Sequence, residues 1–147
     1  MRETQQFCTF FLKDELFGIP VEQVQEVIQY REMTRVPLAL EFICGLINLR
    51  GQIVIAVDLR RRLHMEERPP GMLPVNLVVR TPEGPVSLLA DSVGDVVEVT
   101  EDTFEDPPRT VAGNFRELIR GVHKLDCGLM HVLDPEMACR LPEQSES

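Results

Sequence analysis

Hydrophobic residues in this chain occur in short runs that are separated by glycine, proline, aspartate and other polar residues. Valine, isoleucine, leucine and phenylalanine dominate the runs, and these residues favour the pleated, half-buried surface of a β-strand. The pattern predicts ten strands, at 7–12, 16–20, 26–29, 44–49, 52–57, 75–80, 86–90, 95–99, 119–125 and 128–133. Helical spacing links Val21, Val24 and Ile28. Aspartate caps predict two further brief helices, after Asp58 and Asp134. We therefore expect a mainly β fold with short connecting helices.

The order of these runs repeats along the chain. Residues 16–28, LFGIPVEQVQEVI, align without a gap with residues 85–97, PVSLLADSVGDVV, sixty-nine positions later. Residues 45–59, GLINLRGQIVIAVDL, align in the same way with residues 121–135, GVHKLDCGLMHVLDP, seventy-six positions later. Two gapless matches in the same order indicate a duplicated unit of about seventy residues. The alternative is chance agreement between apolar strands of similar composition.

The boundary between the two units is predicted at 66–74, where three prolines and a glycine interrupt both helices and central strands. The first unit then covers about 7–65, the second about 75–141, and a polar, disordered tail follows at 142–147. Five short, twisted strands with one apolar face tend to close on themselves, because closure removes unpaired sheet edges. The sequence thus predicts two small five-stranded, SH3-like β-barrels within one domain spanning 1–147.

Composition and charge narrow the class of protein. Apolar residues make up 44% of the chain, but no uninterrupted run approaches the roughly 20 residues of a membrane-spanning helix, and the first six residues do not resemble a signal peptide. A soluble, cytoplasmic protein without membrane insertion is expected. The net charge of −9 argues against a nucleic-acid partner. The four cysteines are scattered without a Cys-x-x-Cys pair, which indicates reduced thiols rather than disulfides.

The charge is distributed unevenly along the chain. Residues 83–106 hold eight acidic residues and no lysine or arginine, whereas three consecutive arginines occupy 60–62. Such segments are either solvated faces or docking surfaces for charged partners, and the sequence leaves both interpretations open.

Catalytic motifs are missing from the sequence. It contains neither a Gly-x-Ser-x-Gly elbow nor a phosphate-binding glycine loop. One metal-like group, His123, Cys127 and His131, could converge only if a hairpin turned near Cys127 and set the two histidines opposite each other. In the duplication these histidines align with Ile47 and Ile55, which favours packing over ligation. We expect no enzyme activity, metal or other cofactor; a metal enzyme built on this hairpin is the alternative.

Arg50 is the polar residue that turn chemistry singles out. Gly51 can adopt the positive φ of a tight hairpin turn between two predicted strands, so that the Arg50 guanidinium projects from a rigid loop. Loop residues on a rigid scaffold often carry recognition. Arg50 is therefore either a recognition residue or an ordinary solvated turn arginine.

Several motifs in this order resemble those of the CheW-like domain family. They are FGIPV at 17–21, VQEVI at 24–28, TRVP at 34–37, GLINLRG at 45–51, VDL at 57–59 and ADSVGDVV at 90–97. The resemblance extends from Phe7 to about Leu141, and the INLRG stretch is its most specific part. Leu40, where the family commonly has proline, and Ala56, which replaces a bulkier residue, depart from the pattern.

The resemblance implies two five-stranded barrels and a non-catalytic adaptor. Such an adaptor binds the cytoplasmic tip of a chemoreceptor, a methyl-accepting chemotaxis protein, and the regulatory domain of the histidine kinase CheA, and is recruited to membrane receptor arrays. A free-standing module similar to the CheA regulatory domain, which has the same fold, is the nearer alternative. The positions that the motifs match to partner binding are Val24, Glu26, Gly45, Asn48, Leu49, Arg50 and Gly51.

Overall fold

The computed structural model describes residues 3–37, 40–106 and 117–139. The strands in this part of the chain are β1 (Thr4–Leu12), β2 (Glu15–Pro20), β3 (Val24–Ile28), β4 (Ile43–Leu49), β5 (Gln52–Asp58), β6 (Val75–Thr81), β7 (Gly84–Ala90), β8 (Ser92–Thr100), β9 (Phe104–Glu105), β10 (Ile119–Leu125) and β11 (Gly128–Leu133). The helices are α1 (Leu59–Arg62) and α2 (Pro135–Cys139), with single 3-10 turns at Val21–Gln23 and Glu101–Thr103. The predicted end of the second unit at 141 and the predicted tail at 142–147 lie outside the described residues.

The expectation of a mainly β fold is confirmed. The described strands form a six-stranded sheet, in the order β8-β1-β2-β11-β10-β9, and a five-stranded sheet, in the order β3-β6-β7-β5-β4. The six-stranded sheet exceeds the expected five because the two-residue strand β9 pairs with β10. The helical spacing seen after Pro20 yields only one 3-10 turn, and β3 begins at Val24, two residues before the predicted start. No described helix is long and apolar enough to cross a membrane.

The two sheets do not follow the two halves of the sequence. The β1–β2 hairpin from the first half pairs with β8 and β11, whereas the β6–β7 hairpin from the second half pairs with β3 and β5. Each sheet therefore contains strands from both sides of the linker rather than from one unit alone. The division at 66–74 stays a prediction about the sequence repeat.

Local irregularities recur at equivalent places and support the duplication. A register shift falls just before Gly45 where β4 pairs with β5, and just before Gly121 where β10 pairs with β11. The Asp58 carboxylate accepts a hydrogen bond from the backbone N–H of Arg60 at 3.1 Å, and Asp134 makes the same contact with Glu136 at 3.1 Å. Both predicted aspartate caps are thus present, seventy-six residues apart.

One apolar cluster joins the two sheets. Its buried members are Phe10, Leu12, Phe17, Ile19, Val57, Leu59, Leu63, Leu77, Val79, Leu88, Ala90, Leu118, Ile119, Leu133 and Ala138. Smaller clusters fill each sheet separately, around Met130 in the six-stranded sheet and around Ile47 in the five-stranded sheet. Because burial of apolar area is the main stabilising contribution in folding, the shared cluster makes the two sheets one packing unit.

Four charged side chains are buried where the sheets meet. Asp91, between β7 and β8, accepts hydrogen bonds from Arg60 at 2.5–3.1 Å, from Arg68 at 2.8 Å and from the backbone N–H of Lys13 at 2.7 Å. Arg68 also donates to Asp58 at 2.9 Å. The Asp91 and Arg60 side chains are only 3% and 5% exposed. The arginine run at 60–62 is therefore not simply a solvated face.

Candidate functional site

The seven predicted partner-binding positions all belong to the five-stranded sheet or to one of its turns. Its two edge strands, β3 and β4, carry five of them, and the turn between β4 and β5 carries the other two. The curled sheet brings its edges together, because the Arg50 guanidinium on the turn makes an ion pair with the Glu26 carboxylate on β3. The seven positions are Val24 and Glu26 on β3, Gly45, Asn48 and Leu49 on β4, and Arg50 and Gly51 in the turn.

The β4–β5 turn contains one more left-handed residue than the sequence predicted. Arg50 has φ 51° and Gly51 has φ 86°, so both central residues are left-handed, as in a type I′ hairpin turn. The prediction assigned a positive φ to Gly51 alone. The Asn48 side chain secures this geometry, since its Oδ1 accepts a hydrogen bond from the Gly51 N–H at 2.9 Å. The turn therefore holds the Arg50 backbone in a conformation that non-glycine residues seldom adopt.

The Glu26–Arg50 pair is accessible from solvent. The Arg50 side chain is 65% exposed and the Glu26 side chain 22%. The hydrogen bond from Arg50 lowers the pKa of the Glu26 carboxyl, and the same contact raises the pKa of Arg50. Arg50 is thus not a simple solvated turn residue; it is oriented by a partner on the opposite edge of the sheet.

Gly45 allows a neighbouring segment to pack closely on β4. A Cβ atom at this position would lie 2.6 Å from the Thr34 carbonyl oxygen and 3.1 Å from the Met33 Cβ. Thr34 and Leu46 exchange two backbone hydrogen bonds of 2.8 Å at this point. Gly45 is buried, and so is Leu49, which packs in the cluster around Ile47. These two positions shape the site from beneath its surface.

Val24 marks a bulge in β3. The pairing of β3 with β6 shifts register between Val24 and Glu26, and a β-bulge of this kind re-aims the side chains beside it. Arg80 supports the bulge by donating to the Glu22 and Val24 carbonyls at 3.1 and 3.0 Å. Val24 itself is half-buried and packs against the shared core.

Two neighbours of this turn were not among the predicted site residues. Arg31 donates a hydrogen bond to the Asn48 carbonyl at 3.0 Å. Ile53, paired with Asn48 across the hairpin, is a large apolar side chain that is 60% exposed. Side chains alternate between the two faces of β5, and this alternation could have predicted that Ile53 faces outward. Arg31 lies outside the predicted strands and carried no such signal.

The second half of the chain does not repeat the ion pair. The positions equivalent to Glu26 and Arg50 are Asp95 and Asp126, both acidic and exposed. Lys124, equivalent to Asn48, instead pairs with Glu105 at 2.8 Å. The duplication therefore retains the hairpin but presents opposite charge at its two turns.

The structure corrects the conditional prediction that a hairpin near Cys127 sets His123 opposite His131. The turn between β10 and β11 has two residues, and this register pairs His123 with Met130 and His131 with Val122. Neighbouring positions point to opposite faces of a sheet, so the two histidines diverge. His123 contacts Thr103 at 2.8 Å, whereas His131 contacts the Leu16 carbonyl at 3.1 Å. Among the described residues no cluster of metal-ligating side chains is present.

Two curled β-sheets that exchange hairpins, with an ion-paired surface turn, define a double-barrel domain of the kind that carries binding surfaces. Residues 6–142 match the family model for the CheW-like domain. The chain belongs to the CheW-like domain family, as its motifs predicted.

Named relatives and a solved structure agree with this membership. The chain is 26% identical to the chemotaxis protein CheW of Treponema pallidum, with 90% of this chain and 80% of the relative covered. It is 30% identical to the chemotaxis protein CheW of Klebsiella aerogenes, with the same coverage. The crystal structure of the scaffolding protein TtCheW from Thermoanaerobacter tengcongensis matches with a TM-score of 0.85 and 26% identity, covering 95% of each chain. The expected SH3-like double-barrel fold is confirmed.

Proposed function

We propose that this chain is a non-catalytic adaptor of a chemotaxis-type system, and that it joins the cytoplasmic tip of a chemoreceptor to the regulatory domain of the histidine kinase CheA. The observation that carries the proposal is the family match over residues 6–142, together with relatives named as chemotaxis and scaffolding proteins. The adaptor acts in the cytoplasm, where it is recruited to membrane receptor arrays, and it uses neither a cofactor nor nucleic acid.

The β4–β5 turn is the proposed contact with one partner. Its geometry is fixed before binding by the type I′ backbone, the Asn48 side chain and the Glu26–Arg50 pair. A preordered surface loses less conformational entropy on association, which favours affinity. In this proposal Glu26, Asn48 and Arg50 face the partner, and Val24, packed against the core, sets the bulge beside Glu26. The buried or turn-forming positions, Gly45, Leu49 and Gly51, hold these residues in place.

An adaptor requires a second, different surface, and charge supports one. The first half presents Arg50 at its hairpin turn, whereas the second presents Asp126 at the equivalent place and Asp95 on the exposed strand β8. Surfaces of opposite charge select different partners, because like charges in an interface are unfavourable. The duplicated fold thereby supplies two sites of unequal specificity on one small scaffold.

Reconstitution with the kinase and receptor of the same organism tests the proposal. Kinase activity is measured with receptor fragments assembled on vesicles, with and without this chain, and affinity for each partner is measured by calorimetry. We expect binding to both partners and receptor-dependent kinase stimulation only when the chain is present. Failure to bind either partner would reject the proposal. Binding to receptor without any kinase contact would also reject it and favour the isolated regulatory-module alternative.

The Arg50→Ala variant tests the assigned site. We expect affinity for one partner to fall on the order of tenfold, because a charge-assisted contact is lost, while the melting temperature stays close to that of the native chain. Arg35→Ala is the matched control, since Arg35 is an exposed arginine of the first half with no hydrogen bond or ion pair to the turn in the described structure. Unchanged affinity of Arg50→Ala for both partners would remove the turn from the binding surface.

A further inference from the structure

Residues 29–34, which follow β3, place one arginine at the turn. At the start of this segment, the Gln29 carbonyl accepts a hydrogen bond from the Asn76 side chain at 3.2 Å. Further on, Thr34 forms its two-bond bridge with Leu46, and Met33 packs against the cluster around Ile47. Arg31 lies between these two anchors, so the position of its backbone is set on both sides.

Arg31 reaches the turn through Asn48. Its Nη1 donates to the Asn48 carbonyl at 3.0 Å, while the Asn48 side chain accepts the Gly51 N–H at 2.9 Å. One residue thus receives Arg31 on its backbone and stabilises the left-handed turn with its side chain. A change in the Asn48 backbone would therefore alter the conformation of Arg50 and Gly51.

Arg31 also adds positive charge beside Glu26. The pKa of the Glu26 carboxyl is lowered first by its hydrogen bond from Arg50, and the charge of Arg31 contributes in the same direction. Arg50 is the residue that bonds the Glu26 carboxylate, whereas the described hydrogen bond of Arg31 goes to the Asn48 carbonyl. A guanidinium carries five N–H donors, which is more than the described contact of Arg50 with Glu26 uses. The turn is locally positive although the chain as a whole has a net charge of −9.

We propose that Arg31 is a positioning residue for the partner-binding turn, and that the partner group received there is a carboxylate. Arg31 fixes the Asn48 backbone, and its positive charge offsets the negative charge of Glu26. Arg50 therefore keeps its orientation, and its remaining N–H donors are available to an acidic side chain of the partner. Charge-assisted, often bidentate contacts of arginine with carboxylates have the strength and geometry for this role. The inference rests on the proposed function and adds to it the chemistry of the contact.

The test combines single and double variants with two structural readouts. Affinity for the kinase regulatory domain and for the receptor fragment is measured for Arg31→Ala, Arg50→Ala, the double variant, Arg31→Lys and the Arg35→Ala control. We expect Arg31→Ala to lower the affinity for the partner that Arg50 binds by about 3- to 10-fold. In the Arg50→Ala background, Arg31→Ala should cause no further loss of affinity. Arg31→Lys should recover most of the affinity, and Arg35→Ala should bind like the native chain.

Two readouts in the unbound chain separate positioning from direct contact. In Arg31→Ala the Gly51 amide should exchange with solvent faster, and the Glu26 carboxyl should titrate at higher pH, both followed by NMR. Unchanged exchange and titration overturn the inference whatever the binding data show. Equal losses in the native and Arg50→Ala backgrounds also overturn it, because Arg31 would then contact the partner itself. If Arg31→Ala binds normally while Arg50→Ala is weakened, the inference fails and the proposed site stands.

Discussion

Asp91→Asn tests whether the buried charges at the sheet junction stabilise the fold. The substitution keeps the size of the side chain but removes the negative charge that faces Arg60, Arg68 and the Lys13 backbone. Four N–H donors from three residues surround the carboxylate, so the amide nitrogen of asparagine would face at least one of them. Two guanidinium groups would remain in a region where Arg60 is 5% and Arg68 9% exposed.

The expected loss in the free energy of unfolding depends on which contacts Arg60 and Arg68 keep. Removing one partner of a buried ion pair costs about 3–5 kcal/mol, since the remaining charge is desolvated without compensation. Arg68 retains Asp58, and Arg60 retains the Glu66 carbonyl at 3.0 Å, so the lower end of that range applies. We expect a loss of about 3 kcal/mol, which for a chain of this size lowers Tm by roughly 6–12 °C.

Urea unfolding at neutral pH measures this loss. Asp95→Asn is the matched control, because it makes the same charge change at an exposed position of β8. A control variant within about 0.5 kcal/mol of the native chain is expected for a surface site. If Asp91→Asn unfolded as the control does, the junction network would contribute no net stability, and the argument from burial would be wrong.

Three further predictions concern pH, packing and thiol chemistry. Burial raises the pKa of Asp91, but the hydrogen bonds from its arginine and backbone donors outweigh burial and leave that pKa below its usual range. Its ionised form therefore stabilises the fold above the unfolded pKa of about 3.9, and the stability gap to Asp91→Asn should close as pH falls below that value in urea titrations. Gly45→Ala should lose about 1–3 kcal/mol by thermal unfolding, because its Cβ would press on the Thr34 carbonyl; native-like stability would mean that this contact relaxes freely. Partial burial raises the pKa of Cys139 to about 12, so a thiol reagent at pH 8 should modify exposed Cys127 first and half-buried Cys139 more slowly; equal rates in the native chain would contradict this shielding of Cys139.

Strand positions could be predicted from the sequence because each strand carries its own apolar pattern. The pattern located ten of the eleven described strands and both aspartate caps, and it missed the two-residue strand β9. Pairing is different, because alternation says which face of a strand is buried but not which strand lies beside it. The hairpin exchange between the halves was therefore not predicted. A two-residue turn also fixed the β10–β11 register, which alternation alone left open.

The candidate site was predicted in part. Turn chemistry and motif resemblance selected Arg50 and Glu26, but their pairing joins residues from opposite edges of a curled sheet. Arg60 shows the same limit: a run of three arginines is typical of a solvated face, yet its partner Asp91 is thirty-one positions away in sequence. Long-range partners decide whether a charged side chain is exposed or buried, and local pattern does not contain them.

The exchanged hairpins also set what each half of the chain can do alone. A single repeat of about seventy residues would carry a β1–β2-type hairpin without the neighbours that hairpin uses in this molecule. Two such repeats on separate chains would have to trade hairpins to complete both sheets, and that association would depend on concentration. On one chain the same exchange is intramolecular, and the two repeats need not be identical: the turn of the first is basic at Arg50, and its counterpart is acidic at Asp126.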